Sequence, residues 1–269
     1  MFKTVPPISS MQDAFSVKGL NVVVTGGNRG IGRGIAQAFA EGGANVAILC
    51  RNEASGQKAA EELKQHGGKY AAFRCDISVY DEVKAAVEQV YAFFDHVDVL
   101  INNAGVATTT PFLAPDGLEE WHRVIDVNLH GTASMIHEIA PKMVEAGKGG
   151  SIINITSVGA VRVSNTVKGH HNAPYNASKA GVDILTRYLA IVLGDAGIRV
   201  NSIQPGMTHS DLDKDLPEEA KAEAVSSVPA HRFGEPLEIG ALCVYLASPA
   251  GSQVRGVNYA HDGGLMCIN

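Results

Sequence analysis

One stretch constrains the fold of this chain more than any other: a β-branched run that leads directly into a cluster of glycines. The run Val22–Val24 favours a buried strand, because branched side chains pack well on a pleated surface. Gly26, Gly30 and Gly32 follow, and they permit a tight turn and the close approach of another molecule. Such glycines also form ordinary turns. A strand, glycine turn and helix together direct backbone N–H groups at one point, which suits a phosphate or pyrophosphate.

Strands and helices alternate along the rest of the chain. Further strands are predicted at 45–50, 70–74, 97–101, 151–156, 198–203 and 256–260. Helices are predicted after the glycine turn and at 54–65, 79–94, 118–146, 175–193, 217–225 and 236–247. This alternation predicts an α/β fold: a single doubly wound Rossmann-type domain with a parallel sheet flanked by helices. Residues 15–269 are assigned to that domain and residues 1–14 to an N-terminal arm or tail.

The composition limits the class of function. The chain has 269 residues with 45% apolar and 19% charged residues, which suits one large globular domain. A net charge of −6 argues against nucleic acid or an anionic membrane as the main partner. Neither a membrane-spanning run nor a signal peptide is evident, and a cytoplasmic location is expected. The four cysteines are scattered without metal-ligand spacing, so reduced thiols and no metal site are predicted.

A tyrosine and a lysine lie one helical turn apart near the start of a predicted helix. Tyr175 and Lys179 are spaced i and i+4, which places them on one helix face. A free tyrosine has a pKa of ~10, and a nearby ammonium group lowers it toward the neutral range. The pair is therefore a candidate proton-transfer site, although an ordinary surface pair has the same spacing.

Taken together, the motifs resemble the short-chain dehydrogenase/reductase family, over about residues 15–264. The resemblance rests on segments that stand in the family's order: Thr25–Gly32, Asn102–Gly105, Ser157, Tyr175 with Lys179, Pro205-Gly206 and Asp262–Gly264. It implies that the protein is an enzyme, an oxidoreductase that interconverts a ketone and a secondary alcohol by hydride transfer to or from a nicotinamide cofactor.

The resemblance also implies roles for individual residues. Tyr175 donates a proton to the ketone or accepts one from the alcohol, and Lys179 lowers its pKa and holds the nicotinamide ribose. Ser157 polarises the substrate oxygen, with Thr156 as a rival for that role. Asn128 supports a water relay to the lysine. The remaining cofactor contacts are expected at Gly26, Asn28, Arg29, Gly30, Ile31, Arg51, Asn52, Asp76, Ile77, Asn103, Gly105, Pro205, Gly206, Thr208 and Ser210.

The residues after the second strand predict which cofactor binds. NAD-binding sites carry an Asp or Glu at the end of this strand to hold the ribose 2′-OH. Here the position is Cys50, and Arg51 follows it. The first carboxylate, Glu53, lies three residues beyond the position of Cys50. Arg29 adds a second cation within the glycine turn, and guanidinium groups bind phosphate well. NADP(H) is therefore predicted, with NAD as the alternative.

The substrate is the least constrained part of the prediction. The segment between Ser157 and Tyr175 is longer than the family's usual spacing, and it carries Arg162 and several other polar side chains: Lys168, His170 and His171. With His209, these favour a sugar, a polyol or a similar hydroxylated carbonyl compound. A hydroxysteroid and a 3-oxoacyl thioester are the alternatives. A nucleotide-sensing regulator without catalysis is the non-enzyme alternative, but such a protein commonly lacks the tyrosine or the lysine.

The family resemblance further implies an oligomer. Subunits of the family pair through the long helix here placed at 118–146, through the Tyr175 helix, and through the C-terminal strand and helix. A homotetramer is predicted, with a small-molecule substrate as its partner and no membrane or nucleic-acid partner.

Overall fold

Seven parallel strands form one sheet at the centre of the molecule, in the order β3-β2-β1-β4-β5-β6-β7. The computed structural model describes residues 8–163, 172–210, 218–226 and 228–267. The strands, β1 to β7, are Asn21–Thr25, Asn45–Cys50, Tyr70–Arg74, Val99–Asn102, Gly150–Ile155, Ile198–Pro205 and Asn258–His261. The order reverses between β1 and β4, as in doubly wound folds. The predicted Rossmann-type α/β fold is confirmed.

Helices connect the strands and cover both faces of the sheet. They are α1 to α9: Met11–Ala14, Gly30–Glu41, Glu53–Leu63, Tyr80–Phe93, Gly117–Ile125, Thr132–Ala146, Ala173–Val192, Glu218–Ser226 and Pro236–Ala247. Within the described ranges, no helix is both long enough and apolar enough to cross a lipid bilayer.

The sheet is buried on both faces, which explains the uninterrupted apolar runs of its strands. All five residues of β1 are buried. Alternate residues point to opposite faces, so Val22 and Val24 pack in one core cluster with Phe39 of α2. Val23 packs in the other cluster, with Ile139 of α6. Because all seven strands are parallel, their carboxyl ends lie at one edge of the sheet.

The predicted single helix at 118–146 is wrong in one respect, because a π-helical segment divides it. Asp126–Gly131 forms this wider segment between α5 and α6. Apolar periodicity cannot reveal such a segment, since the flanking helices keep their own spacing on either side. π-helical turns occur often at functional sites, and this one contains Asn128.

The predicted N-terminal arm is only partly within the described residues, which begin at residue 8. Met11–Ala14 forms a single helical turn, and the Ser10 side chain caps it by accepting from the Asp13 N–H at 3.0 Å. Ala14 and Val17 are buried. The end of the predicted arm is therefore fixed against the main domain.

Candidate active site

The glycine turn at the carboxyl end of β1 has the shape needed to approach a phosphate. Gly26 and Gly30 have positive φ angles of 66° and 50°, which favour glycine. A Cβ at Gly32 would lie 2.3 Å from the Gly26 carbonyl oxygen, so no larger residue fits there. Helix α2 has no side-chain cap and no acidic residue in its first turn. Its N-terminal N–H groups and the glycine turn fit the pyrophosphate of a dinucleotide.

Asn103 holds this turn against the end of β4. Its side-chain Nδ2 donates to the Thr25 carbonyl oxygen at 3.0 Å. In return, the Thr25 hydroxyl accepts from the backbone N–H groups of Asn103 and Ala104, both at 3.0 Å. The Asn103 side chain thus fixes the turn.

A second set of contacts ties the glycine turn to the start of α3. The Asn28 side chain donates to the Ser55 hydroxyl at 2.8 Å. Asn52 caps α3, with its Oδ1 accepting from the Ser55 N–H at 2.9 Å. Arg29 and Arg51, the two cations predicted to select NADP(H), are both exposed on the chain segments that this contact joins. Asn52 therefore positions the residues beside Arg51.

Asp76 and Ile77 follow β3 at the same edge. The Asp76 carboxylate accepts from the Ser78 N–H at 3.0 Å and the Ser78 hydroxyl at 2.7 Å. Ile77 is buried, and a Cβ at Gly131 would lie 2.8 Å from its side chain. The structure thus places Ile77 against the π-helical segment, with Asp76 directly before it in the chain.

Tyr175 and Lys179 lie in the first turns of α7, beside the carboxyl end of β5. Lys179 is 5% exposed, and its Nζ donates to the Ile155 carbonyl oxygen at 2.8 Å. The same Nζ lies 5.5 Å from the centroid of the Tyr175 ring. The predicted one-face arrangement of the two residues is present, with Lys179 buried and Tyr175 half-buried.

Ser157, not Thr156, faces the tyrosine. The Ser157 side chain lies close enough to the Tyr175 side chain to favour a lower pKa of its phenol. The Thr156 hydroxyl instead donates to the Ile203 carbonyl oxygen at 3.1 Å and is buried in the sheet. The geometry therefore favours Ser157 over its rival.

The expected lowering of the Tyr175 pKa is wrong for this structure. Burial raises the pKa of Tyr175 and outweighs the lowering effect of Ser157. Burial also lowers the pKa of Lys179 to about 8, against the opposing effect of the Asp183 charge. Sequence spacing shows which groups are adjacent, but it does not show how strongly the surroundings disfavour their charged forms.

Asn128 connects the π-helical segment to the loop after β4 and to α7. Its Oδ1 accepts from the Val106 N–H at 2.8 Å, and its Nδ2 donates to the Val106 carbonyl at 2.9 Å and to the Ser178 hydroxyl at 3.1 Å. A Cβ on Gly105 would lie 3.3 Å from both Asn128 Oδ1 and Lys179 Nζ. The structure therefore brings Asn128, Gly105 and Lys179 together.

Pro205 ends β6 at the same edge of the sheet, and Gly206 follows it. A Cβ on Gly206 would lie 2.7 Å from the Asp262 Cα, so the chain passes closely there. Thr208 is buried and bridges to Gly234. Ser210, the last predicted cofactor contact, ends the described range.

The polar loop predicted to shape the substrate pocket is described only in part. Arg162 donates to the Leu265 carbonyl oxygen and so ties this loop to the C-terminal turn. Lys168, His170 and His171 lie outside the described residues. Within the described ranges, no group of three or more His, Cys, Asp or Glu residues is arranged to hold a metal ion.

The sequence analysis missed one buried charged residue near the site. Asp183 follows Lys179 by one turn of α7 and is 5% exposed. Its two oxygens accept from Ser202 and Gln204 of β6. The only signal in the sequence was an acidic residue at i+4 from the lysine on the sheet-facing side of the helix.

A family model described as "Enoyl-(Acyl carrier protein) reductase" matches residues 26–266. The chain is 39% identical to the 3-oxoacyl-acyl-carrier-protein reductase FabG of Chlamydia muridarum, over 90% of this chain and 96% of that protein. It is 33% identical to the sorbose reductase SOU1 of Candida albicans, over 96% and 91% of the two chains.

The crystal structure of an NADPH-dependent 3-quinuclidinone reductase from Rhodotorula rubra superimposes with a TM-score of 0.89, at 33% identity. The match covers 99% of this chain and 98% of that one. The chain belongs to the short-chain dehydrogenase/reductase family. It is an oxidoreductase of that family, acting on CH–OH or C=O groups.

Proposed function

We propose that this oxidoreductase is an NADP(H)-dependent ketone reductase or secondary-alcohol dehydrogenase that acts on a sugar, a polyol or a similar hydroxylated carbonyl compound. The observation that carries the proposal is the grouping of Ser157, Tyr175 and Lys179 at the carboxyl edge of the sheet. The glycine turn, with its uncapped helix, lies at the same edge.

Each of the three side chains has a separate task in this proposal. The Ser157 hydroxyl donates to the substrate oxygen and holds the carbonyl beside the tyrosine. Tyr175 donates its phenolic proton to that oxygen during reduction, and the raised pKa keeps it protonated until then. Lys179 contributes a positive charge that stabilises the phenolate left behind. The bound nicotinamide supplies or accepts the hydride.

Charge at the adenosine end supports NADP(H) over NAD(H). Cys50 is buried at the end of β2, where an NAD site would carry a carboxylate. Arg29 and Arg51 flank the Asn28–Ser55 contact and are exposed. The nearest carboxylate in sequence, Glu53, is exposed in the first turn of α3. Two guanidinium groups without a carboxylate at the strand end suit a 2′-phosphate.

The similarity to a sorbose reductase supports a hydroxylated substrate. The similarity to a 3-oxoacyl thioester reductase supports the second candidate, in which the same three residues reduce a 3-oxoacyl thioester. The hydroxysteroid alternative requires an apolar slot at the same site. The arrangement of Ser157, Tyr175 and Lys179 argues against a regulator that has lost catalysis.

We also propose that the protein is a homotetramer. One side of α7 exposes a stripe of apolar residues at helical spacing: Ile184 is 63% exposed, Tyr188 64% and Ile191 82%. Large exposed apolar stripes of this kind mark protein–protein contacts. A stripe on the helix that carries Tyr175 suits the subunit pairing implied by the family resemblance.

Initial rates of NADPH and NADH oxidation test the substrate and the cofactor together. The substrates are a hydrophilic ketose, a 3-oxoacyl thioester and a steroid ketone. Turnover of the ketose with NADPH is the expected result. Turnover of the thioester alone favours the second candidate, and turnover of the steroid alone means that the pocket is an apolar slot.

A separate substitution tests the cofactor preference. Arg51→Ala is expected to raise the KM for NADPH at least tenfold and to leave that for NADH unchanged, because only NADPH carries the 2′-phosphate. Lys58→Ala, on the exposed side of α3, is the matched control. A wild-type preference for NADH, or an equal effect of Arg51→Ala on both cofactors, contradicts the assignment.

A further inference from the structure

A buried negative charge lies one helical turn from the proposed catalytic lysine. Asp183 and Lys179 are spaced i and i+4 on α7, and both are 5% exposed. Side chains at this spacing meet on one helix face. Burying an isolated charge is costly, so a buried lysine needs compensation if it is to stay charged.

The Asp183 carboxylate is fixed by β6. The Ser202 hydroxyl donates to Oδ1 at 2.8 Å, and the Gln204 amide donates to Oδ2 at 2.5 Å. Ser202 and Gln204 are alternate residues of the strand, so both point from the sheet toward α7. Both are also buried. Each carboxylate oxygen thus accepts a hydrogen bond from an uncharged donor, which leaves the negative charge uncancelled.

The Asp183 charge affects the pKa of Lys179. Burial lowers the pKa of Lys179, and the Asp183 charge acts in the opposite direction, leaving the pKa at about 8. The other charged or titratable groups on α7 and on the elements packed against it are Tyr175, Arg187, Tyr188, Glu119, His122, Asp126 with His130, Glu120 with Arg123, and Arg199. Arg187, Tyr188, Glu119 and His122 are exposed. Within each of the two pairs, the two side chains contact each other directly. The Arg199 guanidinium donates to the carbonyls of residues 246, 247 and 251.

We propose that Asp183 is a positioning residue for the reaction: its buried carboxylate, fixed by Ser202 and Gln204, keeps Lys179 charged at the pH where the enzyme works. This inference rests on the proposed function, in which Lys179 acts as a cation beside Tyr175. Asp183 does not contact the substrate oxygen in this role. It acts through the lysine.

The sign of the pH effect follows from the charge. Lys179 is charged below its pKa, so the reduction rate falls as the pH rises through about 8. Asp183→Asn removes the negative charge and keeps the shape, and the Gln204 amide can rotate to match the new amide. An adjacent opposite charge typically shifts a pKa by about 1–3 units. The alkaline limb of the kcat–pH profile is therefore expected to move to lower pH by about one unit or more.

The matched control is Thr186→Val, on the same buried face of α7. Thr186 accepts from the Asn154 amide at 2.9 Å, so its loss disturbs a comparable buried hydrogen bond without changing charge. This variant is expected to keep the wild-type alkaline limb. Asp183→Ser removes the same charge without adding volume. It takes the place of Asp183→Asn in the measurement if Asp183→Asn shows no native melting transition.

A readout without turnover separates this inference from the proposed function. The protein is labelled with [ε-13C]lysine, and the Lys179 resonance is assigned by its loss in Lys179→Arg. It is then titrated by NMR in the absence of cofactor. Its midpoint is expected near pH 8 in the wild type and at least about one unit lower in Asp183→Asn.

The outcomes are distinguishable. A wild-type protein that turns over none of the carbonyl substrates contradicts the proposed function, while the NMR titration still tests the coupling between Asp183 and Lys179. An unchanged midpoint and an unchanged limb in both charge-removing variants overturn the inference. An equal movement in Thr186→Val also overturns it, because the effect is then structural.

Discussion

Tyr175 and Lys179 lie on the same helix face, but burial shifts their pKa values in opposite directions. It raises the pKa of Tyr175 and lowers that of Lys179, since in each case the uncharged form is favoured. Tyr175→Phe removes the transferable proton and keeps the ring, so kcat is expected to fall about 10²–10⁴-fold. NADPH affinity, measured by fluorescence titration, is expected to stay within about threefold. Tyr188→Phe on the exposed side of α7 serves as the control. A Tyr175→Phe enzyme with wild-type kcat would show that another group supplies the proton.

The start of α3 shows how one secondary-structure element positions a predicted cofactor contact. Asn52 caps this helix by accepting from the Ser55 N–H. The Ser55 hydroxyl, in the first turn of the helix, accepts from the side chain of Asn28 in the glycine turn. Asn52→Ala is expected to cost about 1 kcal/mol of folding stability, because it leaves the Ser55 N–H without its acceptor. The melting temperature is expected to fall by about 2–4 °C. The KM for NADPH is expected to rise, with little change in kcat. Asn52→Ser keeps a capping oxygen and should restore both values; equal losses in Asn52→Ser would mean that the cap is unimportant.

The elements differ in how well the sequence predicts them. Strands β2 and β3 begin and end at the predicted residues, because apolar runs flanked by polar residues leave little freedom for a buried strand. The interruption at Asp126–Gly131 was not predicted, since no apolar pattern marks a wider helical turn. Among single residues, the Ser157–Tyr175–Lys179 group followed from motif order. The role of Asp183 depends on contacts with β6, far along the chain, which spacing alone cannot supply.

At the scale of the whole molecule, the apolar stripe of α7 is a surface that a single subunit leaves exposed. Ile184 and Ile191 are the residues to change, because they lie at the two ends of the stripe and are 63% and 82% exposed. Ile184→Glu with Ile191→Glu is expected to convert the proposed homotetramer into dimers or monomers of 28.3 kDa chains, since each association would bury uncompensated carboxylates. Light scattering at micromolar concentration measures the mass. Val79→Glu places the same charge on an exposed apolar position just before α4, and should leave the assembly intact. A wild-type monomer contradicts the tetramer outright, and an unchanged mass in the double variant means that subunits pair through another surface.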